Sequence, residues 1–194
     1  MAYLFKIKLK GITKPPIWRK VSVPENFTFL QFHEVIQIVF GWYNYHLFEF
    51  REKEYQGNFR ITIPSEDDFD FETKTYDASK TKLSGFFSGN MKKLLYIYDF
   101  GDDWVHEITL ESVSEEKSNK AYCISGKGTC PPEDCGGIYG YKHLKQVFQE
   151  MPESEEAQEF REWLGLGLDD DEDWNPNLFD AEEKKDINED LQNI

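Results

Sequence analysis

Residues 96–111, YIYDFGDDWVHEITLE, constrain the fold more than any other part of the chain. Two runs that alternate apolar or aromatic residues with polar ones flank a cluster of Gly and Asp. A period of two on both sides of a turn is the pattern of an antiparallel β-hairpin. Residues 94–100 and 104–110 are the expected strands. A three-residue loop of Gly101, Asp102 and Asp103 sets Phe100 against Trp104, Tyr98 against His106, Tyr96 against Ile108 and Leu94 against Leu110. One face is then apolar or aromatic apart from the imidazole, whereas a two-residue loop mixes polar and apolar residues on both faces. His106 is therefore expected on the inner, aromatic face.

The same reasoning organises the rest of the chain. Phe5, Ile7 and Leu9 alternate with Lys6, Lys8 and Lys10, the signature of a strand with one buried face. Gly11 to Pro16 should break it, and IWRKVSV should return antiparallel after a long connection. Thr28 with Gln31 makes a capping box for a helix whose apolar face is Phe32, Val35, Ile36, Val39 and Phe40, ended by Gly41. Residues 46–52 and 58–63 read as strands, 64–77 as a polar loop, 79–87 as a short helix and 121–125 as a strand. Residues 141–150 and 154–164 read as amphipathic helices on either side of Pro152. The expected architecture is α+β, a curled antiparallel sheet packed with helices over residues 1–165, followed by an acidic C-terminal tail, 166–194, with one docked turn.

Charge marks that division. Of the 37 Asp and Glu in the 194 residues, 17 lie in residues 150–194 with only 3 of the 22 Lys and Arg, so the remainder holds 20 acidic and 19 basic side chains. Such a chain lacks the clustered basic face that phosphate neutralisation needs, and direct nucleic-acid binding is not expected. The one basic stripe, Lys6, Lys8, Lys10, Lys14, Arg19 and Lys20, is expected as a solvated strand face that the acidic tail is free to meet. No apolar run is long enough for a signal peptide or a membrane span, and the expected location is the cytoplasm. Oligomeric state is not legible.

Three cysteines in such a chain are expected as reduced structural thiols. Cys123, Cys130, Cys135 and His143 are the only zinc-type set, with loose spacing, so no cofactor is expected and zinc is the alternative. A thiolate nucleophile at Cys135 would need His106 or His143 beside it and the Gly136 and Gly137 amides as an oxyanion hole. Asp99, Asp102 and Asp103 are expected to stabilise their turn. They suit a divalent ion or acid–base work only if a third group such as Glu133 or Asp134 converges. The letters DFG match a kinase signature, but no glycine-rich loop or HRD sequence accompanies them. Asp169, Asp171, Asp173, Asn175, Asn177 and Asp180 approximate a calcium loop that Trp174 spoils at the position requiring glycine. Trp18, Trp42, Tyr43, Tyr45, Tyr139 and Tyr141 sit near loops or element ends, where aromatic residues line a ligand cleft or a partner surface, and Trp18, Trp42, His46, Trp104 and Tyr139 are the candidate ligand-binding set. Trp104 and Trp163 are expected buried and Tyr139 exposed. His33 and His46, on either side of the helix stop at Gly41, are each expected as packed side chains rather than ligands.

In order and spacing, ITKPPIWRKVSVP, HEVIQIVFGW with HLFEF, YDFGDDWVHEITLE and CPPEDCGGIYGY resemble the Ri-plasmid pRiA4b open-reading-frame-three-like family. The resemblance covers about residues 3–165. The matching positions are Pro15, Pro16, Trp18, His46, Asp99, Gly101, Asp102, Trp104, His106, Cys130, Pro131, Pro132, Glu133, Asp134, Cys135, Gly136 and Gly137. It implies a small α+β protein, in some members a passenger of plasmids or insertion sequences labelled resolvase-like, and it implies no catalytic residues. A resolvase would need a serine or tyrosine nucleophile among basic residues, which the charge balance does not offer. The leading expectation is a cytoplasmic binding or adaptor protein that holds a protein segment or small ligand between the DFGDDW hairpin and the CPPEDCGG loop. The alternative is a hydrolase in which Asp99, Asp102, His106, Glu133 and Cys135 converge, metal-dependent or not.

Overall fold

The computed structural model describes residues 1–54, 56–64, 73–115, 118–166 and 174–194. Its elements in chain order are β1 (Ala2–Thr13), β2 (Pro16–Pro24), α1 (Phe29–Phe40), β3 (Phe48–Lys53), β4 (Gln56–Thr62) and β5 (Lys74–Asp77). They continue with α2 (Ser84–Phe87), β6 (Lys93–Tyr98), β7 (Trp104–Ser114), β8 (Tyr122–Lys127), α3 (Gly137–Glu150), α4 (Glu155–Trp163), α5 (Ala181–Asp190) and a closing 3-10 turn, Leu191–Asn193. The strands form one open sheet in the order β5-β4-β3-β6-β7-β1-β2-β8.

The α+β class stands, with one correction: the sheet is mixed. Neighbours pair antiparallel except β4 and β5, which run parallel at the edge. Lys74–Asp77 was expected within a polar loop, and a four-residue edge strand gives little apolar alternation to betray it. The break expected between Gly11 and Pro16 is a bulge inside β1, with the register shifting between Lys8 and Thr13, and the turn to β2 is tight.

Local signals elsewhere act as read. Thr28 and Gln31 make both bonds of the capping box, and Gly41 ends α1 in the left-handed region at φ 70°. The apolar stripe of α1 lies on the sheet, with the rings of Phe32 and Phe5 4.9 Å apart. Phe5, Ile7 and Leu9 are wholly buried. Trp104 is buried and Tyr139 is 85% exposed, as expected, but Trp163 is 47% exposed. The helix that carries it, α4, buries only Ala157, so its indole has no core to enter.

The hairpin places its inner face correctly and its register two residues away from the expected one. Tyr98 pairs with Trp104, Tyr96 with His106 and Leu94 with Ile108, leaving a five-residue loop from Asp99 to Asp103. Asp99 and Asp103 both take positive φ, 54° and 57°, and the Asp103 amide donates to the Asp99 carbonyl at 2.7 Å. Asp tolerates the left-handed region better than most residues, which makes this wider turn accessible and leaves Phe100 outside the sheet, half exposed.

The basic stripe also needs correction at one position. Inward residues of β2 are Ile17, Arg19, Val21 and Val23, and Arg19 is as buried as its neighbours. Its guanidinium donates to the carbonyls of Val39, Trp18, Lys127 and Gly128, and pairs with Glu183 of α5 at 2.9 Å. The C-terminal segment is therefore more than one docked turn. Ile187 and Leu191 are buried, Asn188 bonds the Cys123 backbone, and Trp174 packs on Tyr141 and Phe148. Of the calcium-like set, Asp169, Asp171 and Asp173 lie outside the described residues; Asp180 caps α5 and Asn175 accepts the Asn177 amide.

Candidate functional site

Three connections meet at one end of the sheet: residues 41–47 between α1 and β3, residues 99–103 between β6 and β7, and residues 128–136 between β8 and α3. Each is fixed by contacts to the others. Tyr98, at the end of β6, donates its hydroxyl to Glu133 and accepts the Tyr45 and His46 amides at 3.0 and 3.3 Å. The second Glu133 oxygen accepts the Tyr43 amide at 2.7 Å. Trp42 stacks on Tyr98 and donates its indole N–H to the Pro131 carbonyl at 2.9 Å. Glu133 is thus a tie between loops, and burial with its carboxylate nearby holds the Tyr98 phenol well above the usual range.

A buried polar network sets the first connection from below. His33 faces the Tyr96 hydroxyl at 2.8 Å through Nδ1 and Asn44 Oδ1 at 2.7 Å through Nε2, while Gln37 donates to Tyr96 and accepts the Asn44 amide. An acceptor at Nε2 places the proton there, so Nδ1 accepts from Tyr96. Burial lowers the His33 pKa to about 4, and the imidazole is neutral. The expectation of a packed histidine holds.

The third connection closes on the hairpin. The Gly136 amide donates to Asp102 Oδ2 at 3.2 Å, and a Cβ on Gly137, whose φ is +64°, would lie 2.7 Å from the Asp102 carbonyl oxygen. Gly140 is tighter still, since a Cβ there would meet the Cys135 carbonyl oxygen at 1.7 Å. Gly140→Ala is therefore expected to push the loop off the first turn of α3 and to cost about 2–4 kcal/mol in chemical denaturation. Stability within about 0.5 kcal/mol of wild type would show that the loop does not depend on that approach.

Among the sequence candidates, the structure brings together His46, Asp99 and Asp134. His46 Nε2 lies 2.9 Å from Asp134 Oδ1 and 3.7 Å from Asp99 Oδ2, and one ligand atom from each residue falls within 4.8 Å of the others. Asp134 also lines a pocket of about 300 Å³ with Cys135, Glu159, Phe160 and Trp163. A second pocket, of about 380 Å³, is lined by residues 42–44 together with Glu34, Gln37, Ile38 and the C-terminal Asn193 and Ile194.

The remaining candidates are placed apart. His106 is wholly buried among Phe40, Trp42 and Tyr96; Nδ1 donates to the Trp104 carbonyl, Nε2 has no partner, and burial lowers its pKa to about 3. Burial pushes the Cys135 and Cys130 thiols up to about 12 and Cys123 up to about 11, so none is a thiolate near neutrality. His143 pairs with Glu156 of α4, and the Gly136 amide proposed for an oxyanion hole is taken by Asp102. Among the described residues, no three of Cys123, Cys130, Cys135 and His143 bring ligand atoms within 4.8 Å. Trp104 is wholly enclosed in the core, while Trp42, though largely buried, lines the second pocket. Trp18, on the outer face of β2, carries the Lys6 ammonium 4.7 Å above its ring, and Tyr139 projects from α3. Tyr43 and Tyr45, two of the loop aromatics singled out from the sequence, are 71% and 74% exposed, and Leu47, which the sequence reading passed over, is 72% exposed beside them. Their signal was present: all three large side chains fall within the six residues that follow the helix stop at Gly41.

These features define a small mixed-sheet α+β protein with its loop junction at one end of the sheet. The profile of the family described as plasmid pRiA4b ORF-3-like protein matches residues 1–183, and the chain belongs to that family. It is 33% identical over 154 residues to the uncharacterized protein y4hQ of Sinorhizobium fredii, covering 78% of this chain and 75% of that protein. It is also similar to the crystal structure of MM3350, a protein of unknown function from Methanosarcina mazei Go1. The identity is 36%, the TM-score is 0.76, and the match covers 94% of this chain and 96% of that one. No helix among the described residues is long and apolar enough to cross a membrane.

Proposed function

We propose that this protein is a binding module whose loop junction captures a basic protein segment. The observation that carries the reading is the exposure of Tyr43, Tyr45 and Leu47 on a connection whose backbone is pinned by Tyr98, Glu133 and Gln37. Exposed aromatic side chains on a pre-organised backbone lose little entropy on binding and supply large contact area. The Tyr43 and Tyr45 rings already stack, with centroids 5.8 Å apart. Tyr43 lines one pocket, Asp134 of the adjoining connection lines another, and the side chains of the junction and its pockets, Glu34, Asp102, Glu133, Asp134 and Glu159, are acidic. A segment with Lys or Arg beside an apolar anchor matches that charge and chemistry. The thiol form of the hydrolase alternative would need an activated nucleophile, and the half-buried Cys135, whose thiol is pushed up to about 12, has no imidazole bonded to it.

Peptides selected from a displayed random library against the untagged protein test the reading. They are expected to be enriched in Lys or Arg with aromatic or aliphatic anchors, and to lose about 10-fold or more in affinity to Tyr43→Ala and Tyr45→Ala proteins. Selection of no sequence, or of peptides that bind both variants as well as wild type, would refute it.

A further inference from the structure

His46, Asp99 and Asp134 come from three different connections, 88 residues apart at the widest, yet present one imidazole nitrogen and two carboxylate oxygens to a common point. The cluster is not a solvated acidic patch. Asp99 is 8% exposed; its Oδ1 accepts the Gly101 amide at 2.9 Å, while its Oδ2 faces His46 at 3.7 Å, beyond hydrogen-bond reach. The three donor atoms thus share one small space, with Asp99 Oδ2 held beside the imidazole nitrogen at ion-pair rather than hydrogen-bond distance, where a cation would meet all three. His46 and Asp134 are 29% and 62% exposed at their side chains, so solvent reaches the remaining coordination positions.

We infer that His46 Nε2, Asp99 Oδ2 and Asp134 Oδ1 form a binding site for one divalent first-row transition-metal ion. The donor set selects the class. One imidazole with two carboxylates suits zinc, manganese, cobalt or iron(II), whereas magnesium and calcium favour oxygen alone and copper(I) favours thiolate or thioether. Binding replaces the His46–Asp134 hydrogen bond with two bonds to the metal and ties the three connections together through a single ion. The inference does not rest on the peptide-binding reading: the two share only Asp134, and substitutions at Tyr43 and Tyr45 leave the three donor residues in place.

Cobalt(II) titration of the chelator-treated, untagged full chain, followed by visible absorption and by equilibrium dialysis, tests it. The expected result is one cobalt per chain at micromolar affinity, with ligand-field bands and no thiolate-to-cobalt charge-transfer band, and no displacement by magnesium. Affinity should fall at least about 100-fold in His46→Ala and in Asp134→Asn, and remain at the wild-type level in Cys135→Ser and His143→Ala. Asp134→Asn changes an exposed side chain, and melting of both site variants in chelator should match the metal-free wild type. The ion should raise the melting temperature of wild type alone. Absence of stoichiometric binding, a thiolate band, or binding that survives His46→Ala would each overturn the inference.

Discussion

Replacing Arg19 by Met is expected to destabilise the protein by about 3–5 kcal/mol, because it removes one member of a buried charged network and leaves the others unpaired. Val39 and Gly128 would lose their guanidinium donors, and Glu183 would keep a half-buried carboxylate with no counter-charge. Arg19 stands at the C-terminal end of α1, where the helix dipole is negative, and pairs with a carboxylate in the first turn of α5, where the dipole is positive. The Phe179 ring covers the guanidinium at 4.1 Å. One side chain therefore joins β2, α1, the β8–α3 connection and α5. A fall in melting temperature of about 6–20 °C follows for a domain of this size. Glu183→Gln should cost only about 1 kcal/mol, since its carboxylate is partly exposed. An Arg19→Met protein within about 1 kcal/mol of wild type would show that α5 is held by apolar contacts alone.

Stability is also expected to fall steeply as pH drops below about 6.5, through two buried histidines. In the folded chain His33 and His106 have pKa values lowered to about 4 and about 3 by burial. In the unfolded chain both take up a proton near pH 6.5, so the unfolded state binds more protons between 6.5 and the folded pKa. Stability is full above that window and is lost as pH falls through it. Each imidazole contributes about 1.4 kcal/mol per pH unit, and the pair about 2.7, between roughly pH 6 and 4. The raised pKa values of Glu34 and Glu183 act in the opposite sense, which makes the histidine slope the quantity to isolate. Urea midpoints from pH 7 to 4.5 should fall about half as steeply in His106→Gln as in wild type. An unchanged slope would mean that His106 is protonated in the folded state.

How far the fold was legible depended on how local its causes were. The capping box at Thr28, the Gly41 stop and the alternation of Phe5, Ile7 and Leu9 act within one element, and the structure has them as read. The hairpin face was legible because parity alone decides it. Its register was not, because the left-handed turns at Asp99 and Asp103 lengthen the loop by two residues without changing parity. Arg19 shares parity with Ile17 and Val21, so its burial was encoded, but the partners that make burial tolerable lie 108, 109 and 164 residues away. The candidate site divides in the same way. The DFGDDW and CPPEDC segments were singled out for their composition, and Asp134 was named as a possible third group for Asp99. That His46 completes the cluster depends on three connections meeting at one end of the sheet, and nothing local in the sequence states it.

If the loop junction is where a basic segment binds, chemical-shift mapping on isotope-labelled protein titrated with a library-selected basic peptide should show it. Perturbed amides are expected to concentrate at residues 41–47 and 133–137, to weaken at high salt and to be abolished in the Tyr45→Ala protein. Perturbations concentrated instead on α3, on α5 or on the outer face of β2 around Trp18, and indifferent to Tyr45, would contradict it.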